Sequence, residues 1–131
     1  MIGLDTDVLL RYLPQDDRRQ SAAATRLIEA LTVEEPGFIA HATLVELAWV
    51  LESCYDATRA TVRDTLNDLL RTRTLRLQDA ETVARALRAF ATGHADFSDC
   101  LIAAASTAAG CGAVYSFDKA AIRNAGMTQV P

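Results

Sequence analysis

Six carboxylates stand where their surroundings call for apolar residues or for a turn: Asp5, Asp7, Glu46, Asp96, Asp99 and Asp118. Asp5 closes the apolar run Ile2-Gly3-Leu4, and Asp118 closes Ala113-Val114-Tyr115-Ser116-Phe117. Glu46 is the only charge in Ala42 to Leu51 and lies too far into a helical pattern to cap it. A carboxylate buried there without a partner is costly, so a cation, a hydrogen-bond donor or a metal is expected beside it, unless it emerges at a surface patch or pairs with an arginine. Asp96 and Asp99 are three apart at the start of another apolar helix, a spacing that puts both on one face. The same spacing suits an N-terminal cap with a second acid at the third position, and Asp5 and Asp118 are also well placed as caps.

Like charges gathered at one rim repel unless a hard cation lies between them. Mg²⁺ and Mn²⁺ take such oxygen ligands, and a carboxylate-bound metal is a common apparatus for attack on phosphodiesters. No histidine or cysteine cluster competes: His41 and His94 are isolated and read as loop or surface residues. There is no glycine-rich phosphate loop and no G-x-S-x-G elbow.

The elements that must position these acids follow from hydrophobic spacing. Strands are predicted at Ile2 to Leu4, Phe38 to Ala40, Leu75 to Leu77, Ala113 to Phe117 and Thr128 to Val130. Helices are predicted from about Val8, over Ser21 to Leu31, Thr43 to about Cys54, Thr58 to Thr72, Asp79 to Ala91 and Phe97 to Ala109, with a short one after Asp118. Pro14-Gln15-Asp16-Asp17 reads as a loop. Strands alternating with helices imply a parallel sheet covered on both faces. Ligands in such folds gather beyond the carboxyl ends of the strands, where Asp5 and Asp118 fall.

The length of 131 residues fits a single domain over 1–131. Half the residues are hydrophobic, and 17 acids stand against 13 bases, giving a net charge of −4. That balance argues against gripping nucleic acid by bulk charge, though not against bringing a metal to it. All basic residues but Lys119 are arginine. Cys54, Cys100 and Cys111 lie in apolar stretches without paired spacing and are expected to be buried free thiols. No basic-then-apolar leader opens the chain, and its apolar runs fall short of the roughly 18 residues a bilayer span needs. A cytoplasmic protein with no membrane association is expected.

Met1-Ile2-Gly3-Leu4-Asp5-Thr6-Asp7-Val8-Leu9-Leu10-Arg11 resembles the opening of PIN-domain proteins, particularly the VapC-type toxins of bacterial toxin–antitoxin pairs. Glu46 in Leu44-Val45-Glu46-Leu47 resembles their second acid, Asp99 in Asp99-Cys100-Leu101-Ile102-Ala103-Ala104 their third, and Ser116-Phe117-Asp118 their fourth. The resemblance spans nearly the whole chain in family order. It implies an α/β three-layer sandwich with a short parallel sheet of about four to five strands flanked by helices. It implies an endoribonuclease dependent on Mg²⁺ or Mn²⁺, with Asp5, Glu46, Asp99 and Asp118 as catalytic metal ligands and Asp96 as an accessory acid. It further implies a homodimer, an RNA substrate and a small cognate antitoxin protein.

Asp7 departs from the pattern, which has Asn there. It adds an acid near the metal, raises a neighbour's pKa by repulsion, or weakens activity. Thr6 and Ser116 keep hydroxyls able to support the acids. Arg59 and Arg63, with Arg71, Arg73 and Arg76, are candidates for phosphate contact, against a solvated face laced with Asp64 and Asp68. Arg11 would touch substrate or partner, or pair with Asp7. Two other readings compete. One is a PIN-type RNA- or protein-binding module without catalysis. The other is a haloacid-dehalogenase-type phosphatase with Asp5 as nucleophile and Asp7 as acid/base, which leaves Glu46 without a role.

Overall fold

The computed structural model describes residues 1–14 and 18–131. Of the loop read at 14–17, residues 15–17 lie outside the described residues. In chain order the elements are β1 (Ile2–Gly3), α1 (Thr6–Tyr12), α2 (Arg18–Glu29), β2 (Gly37–Ile39), α3 (His41–Cys54), α4 (Arg59–Arg71), β3 (Leu75–Leu77), α5 (Ala80–Thr92), α6 (Phe97–Ala108), β4 (Tyr115–Ser116), α7 (Lys119–Asn124) and β5 (Thr128–Gln129). The fold is mixed α/β with a small parallel sheet flanked by helices, as the alternating pattern predicts.

Strands β1, β2 and β3 pair in that order, all parallel. The ladder continues past the strand ends, with Leu4 N–H donating to the Phe38 carbonyl at 2.9 Å and Gln78 N–H to the Ile39 carbonyl at 2.9 Å. Parallel pairing sends the carboxyl ends of all three strands to one edge, so Asp5, the start of α3 and Gln78 meet there. Gln78 Oε1 accepts from the His41 N–H at 2.9 Å across that edge. The middle strand needs glycine at its start. A Cβ on Gly37 would lie 2.8 Å from Leu4 Cδ1 and 2.9 Å from Leu31 Cδ1.

The expected single sheet of four to five strands is instead two ladders. Among the described residues β4 and β5 pair only with each other, in parallel. The Ala113–Phe117 strand shrinks to two residues, because its aromatic side chains stay in water: Tyr115 is 62% exposed and Phe117 77%. Burial on two faces, which would hold the segment in the central sheet, is missing.

The core forms where helical stripes meet the three-stranded sheet. Leu44, Leu47, Ala48 and Leu51 on α3, Val62, Leu66 and Leu69 on α4, and Val83, Ala86, Leu87 and Phe90 on α5 are all buried. Their i, i+3, i+4, i+7 spacing gives each helix one apolar face. Phe90 meets Phe97 of α6 edge to face, with ring centroids 6.0 Å apart. The three cysteines are free, but only Cys100 is buried. Cys54 at the end of α3 and Cys111 beyond α6 are exposed, which corrects the expectation that all three sit inside; both lie at helix ends rather than on a core stripe. No helix among the described residues is long and apolar enough to cross a membrane.

Candidate acidic active site

Asp5 is the N-cap of α1, with its Oδ1 accepting from the Thr6 N–H at 2.8 Å. Thr6 itself is buried, and its hydroxyl donates to Glu46 Oε1 at 3.0 Å. This one residue ties the end of β1 to the middle of α3 and fixes one oxygen of the Glu46 carboxylate. Glu46 is exposed rather than buried, so the surface alternative holds. Burial is borne by Thr43, Leu44, Leu47 and Ala48 on the other side of α3.

The first turn of α6 supplies the next two acids. Asp96 is its N-cap, accepting from the Asp99 N–H at 2.8 Å. Asp118 caps α7 through Ala120 N–H at 2.9 Å, and its own N–H donates to Ser116 Oγ at 2.9 Å. The capping readings of Asp5, Asp96 and Asp118 are therefore all realised. They do not use these acids up, because each cap engages Oδ1 and leaves Oδ2 for another partner.

Glu46 and Asp96 line one cavity of about 510 Å³ between α3 and the start of α6. Asp96 and Asp118 in turn are close enough to act on Asp99. Burial pushes the Asp99 carboxyl above its ordinary pKa, and the negative charges of Asp96 and Asp118 push it further. The rim thus runs from Asp5 and Glu46 through Asp96 and Asp99 to Asp118.

These residues suit a hard divalent cation by donor type. All are carboxylates or hydroxyls, and the charge crowding at Asp99 is the kind a cation relieves. Among the described residues, no three His, Cys, Asp or Glu side chains are gathered closely enough to hold an ion as placed. Mg²⁺ keeps several waters and needs only one or two direct carboxylates, so this spread is compatible with it.

Other predicted residues fall elsewhere. Asp7 and Arg11 line a separate groove of about 420 Å³ with Val8, Ala24 and Leu27, between α1 and α2. Two residues along a helix is about 200° of rotation, which carries Asp7 away from the face of Asp5. Asp7 thus lines this groove and not the cavity that Glu46 and Asp96 share. Arg11 Nε donates to Gln20.

Arg59 is not a free phosphate ligand. Its Nη2 donates to the carbonyls of Phe90 at 2.7 Å and Ala95 at 2.5 Å, its Nε donates to Phe90 at 3.2 Å, and its guanidinium lies 3.9 Å above the Phe90 ring. It braces the α5–α6 connection immediately before Asp96. Replacing Arg59 with Ala is expected to lower stability by about 1.5–3 kcal/mol in urea denaturation, since charge-assisted bonds and ring packing are lost together. Lys at this position restores only part, because it lacks the planar fork. Arg63 pairs with Asp64 at 3.0 Å on the exposed face of α4. Exposed pairs of this kind hold weakly, so its guanidinium can exchange partners. His94 is exposed, while His41 is half-buried at the start of α3 with its Nε2 unpartnered among the described residues.

Sequence reasoning missed Trp49, which is 65% exposed and lines the cavity with Glu46 and Asp96. The signal was available: Trp49 follows Glu46 by three residues and so shares its helix face.

Acids at the carboxyl edge of a parallel α/β sheet, fitted to a divalent cation, define a candidate phosphodiester-cleaving domain. The PIN domain family model matches residues 2–127, and the chain belongs to that family, whose members are generally nucleases that bind divalent metal. No curated protein matches this chain. The match covers the Asp5-Thr6-Asp7 segment that suggested a phosphatase and puts the chain in a different family, so that reading is set aside.

Proposed function

We propose that the protein is an endoribonuclease dependent on Mg²⁺ or Mn²⁺ and the VapC-type toxin of a toxin–antitoxin pair. The observation that carries this is the single rim joining Asp5, Glu46, Asp96, Asp99 and Asp118 in a chain of the PIN family. Asp5, Glu46, Asp99 and Asp118 would hold the ion, one or two directly and the others through its waters, with Asp96 assisting. Bound there, a divalent cation supplies Lewis-acid stabilisation and an activated water for phosphodiester hydrolysis.

The chain's own residues do the positioning. Thr6 orients Glu46 by its hydroxyl, Ser116 shapes the turn that presents Asp118, and Arg59 fixes the backbone ahead of Asp96. Arg63, on the exposed face of α4, would meet phosphate by exchanging its Asp64 partner. RNA is the substrate, a small antitoxin the controlling partner, and the active form a cytoplasmic homodimer. Expression of the wild-type chain alone is expected to arrest bacterial growth, and Asp5→Ala to abolish the arrest at equal protein level. Arrest that persists in Asp5→Ala would contradict a catalytic toxin.

A further inference from the structure

We infer that the cavity beside the acids is a nucleobase subsite that selects bases carrying an exocyclic amino group; this rests on the reading of the chain as an RNA nuclease. The cavity, about 510 Å³, falls in the size range of small-ligand sites. Its apolar wall includes Phe97, which is buried, and Trp49, which is mostly exposed. Its polar groups are Glu46, Glu52, Asp96 and Ser98, and no Lys, Arg or His among the described residues lines it. Such a lining disfavours a phosphate and favours a flat, uncharged ring with hydrogen-bond donors on its edge.

An unstacked base meets both requirements. Its π-face stacks on the indole, an interaction that single-strand binding proteins use widely. Its amino group donates to a carboxylate, the pairing by which acidic side chains read cytosine N4. Glu46 and Asp96 belong both to the cavity wall and to the acidic rim, so a base seated here places its own strand next to the site of cleavage. An arginine from a protein partner also offers donors. The base is favoured by the exposed aromatic face and by this continuity with the rim.

Trp49 is the only tryptophan, so its fluorescence reports on the cavity alone. Cytidine and uridine have nearly the same shape but differ in the amino group, and as nucleosides they carry no scissile bond or phosphate. Titrated into the full chain without metal, cytidine is expected to quench the emission saturably and to bind about threefold or more tighter than uridine, the worth of one net hydrogen bond. Glu52→Gln is expected to shrink that ratio.

Equal affinity for the two nucleosides, or quenching by neither, overturns the subsite. Quenching by tetra-arginine but not by cytidine also overturns it and assigns the cavity to a cationic protein segment. Metal-dependent RNA cleavage by the same preparation separates the two claims. Cleavage without base-selective quenching leaves the nuclease and removes the subsite. Selective quenching without cleavage leaves the subsite and removes the nuclease.

Discussion

Asp99→Asn is expected to lower RNA cleavage by about 10³-fold or more, the loss of several kcal/mol of metal-supported stabilisation, while making the metal-free protein more stable at neutral pH. The second half follows from the raised pKa of Asp99. Burial and the charges of Asp96 and Asp118 favour its protonated form in the folded state. The native state therefore binds more protons than the unfolded chain just above the ordinary value of 3.8, and stability falls as pH rises through that window. Above the folded-state pKa the penalty is fully present, and Asn removes it. The melting temperature of Asp99→Asn should exceed that of wild type at pH 7, with the gap closing below pH about 4. Added Mg²⁺ should raise the melting temperature of wild type more than that of the variant, because binding to the native state stabilises it. A variant that loses activity and stability together would mark Asp99 as structural instead.

Phe90→Ala is expected to cost about 3–5 kcal/mol in urea or thermal unfolding. Phe90 is fully buried, meets Phe97 edge to face and carries the Arg59 guanidinium above its ring. Truncation opens a cavity at the joint of α4, α5 and α6 and removes the surface on which Arg59 rests. Against a typical total of roughly 5–15 kcal/mol, a loss of this size leaves a marginal fold. Since Phe97 follows Asp96 directly, activity is expected to fall further than the folded fraction alone requires. A loss below about 1 kcal/mol would mean the joint does not hold the α5–α6 connection.

Helix positions were legible because their apolar stripes recur at 3.6-residue spacing. The strand read at Leu75–Leu77 has the bounds observed, with both leucines buried and Arg76 exposed between them. The β4 segment was not legible, since an apolar run says nothing about whether both faces will be covered. Asp5, Asp96 and Asp118 were legible as helix-start acids, and the structure shows that capping and placement at the rim are compatible rather than alternatives. Glu46 stands out as the lone charge in an apolar helix, but its exposure is not legible from that pattern. The stripe of Leu44, Leu47 and Leu51 takes the core, and the opposite face, with Trp49, opens to the cavity. Arg59 looked like a surface cation because its partners, the carbonyls of Phe90 and Ala95, are more than thirty positions away and carry no side-chain signature.

The most direct measurement is a time course of cleavage on a broad pool of single-stranded RNA by the purified protein. It is run with Mg²⁺ or Mn²⁺, with EDTA, and with metal restored in excess. The acidic rim predicts endonucleolytic cutting with metal, none with EDTA, recovery on restoring metal, and no cutting by Asp5→Ala in any condition. Cleavage that persists in EDTA, or in Asp5→Ala, would contradict a carboxylate-held metal as the centre of the chemistry. An uncut pool in every condition would leave a PIN fold that binds rather than cleaves.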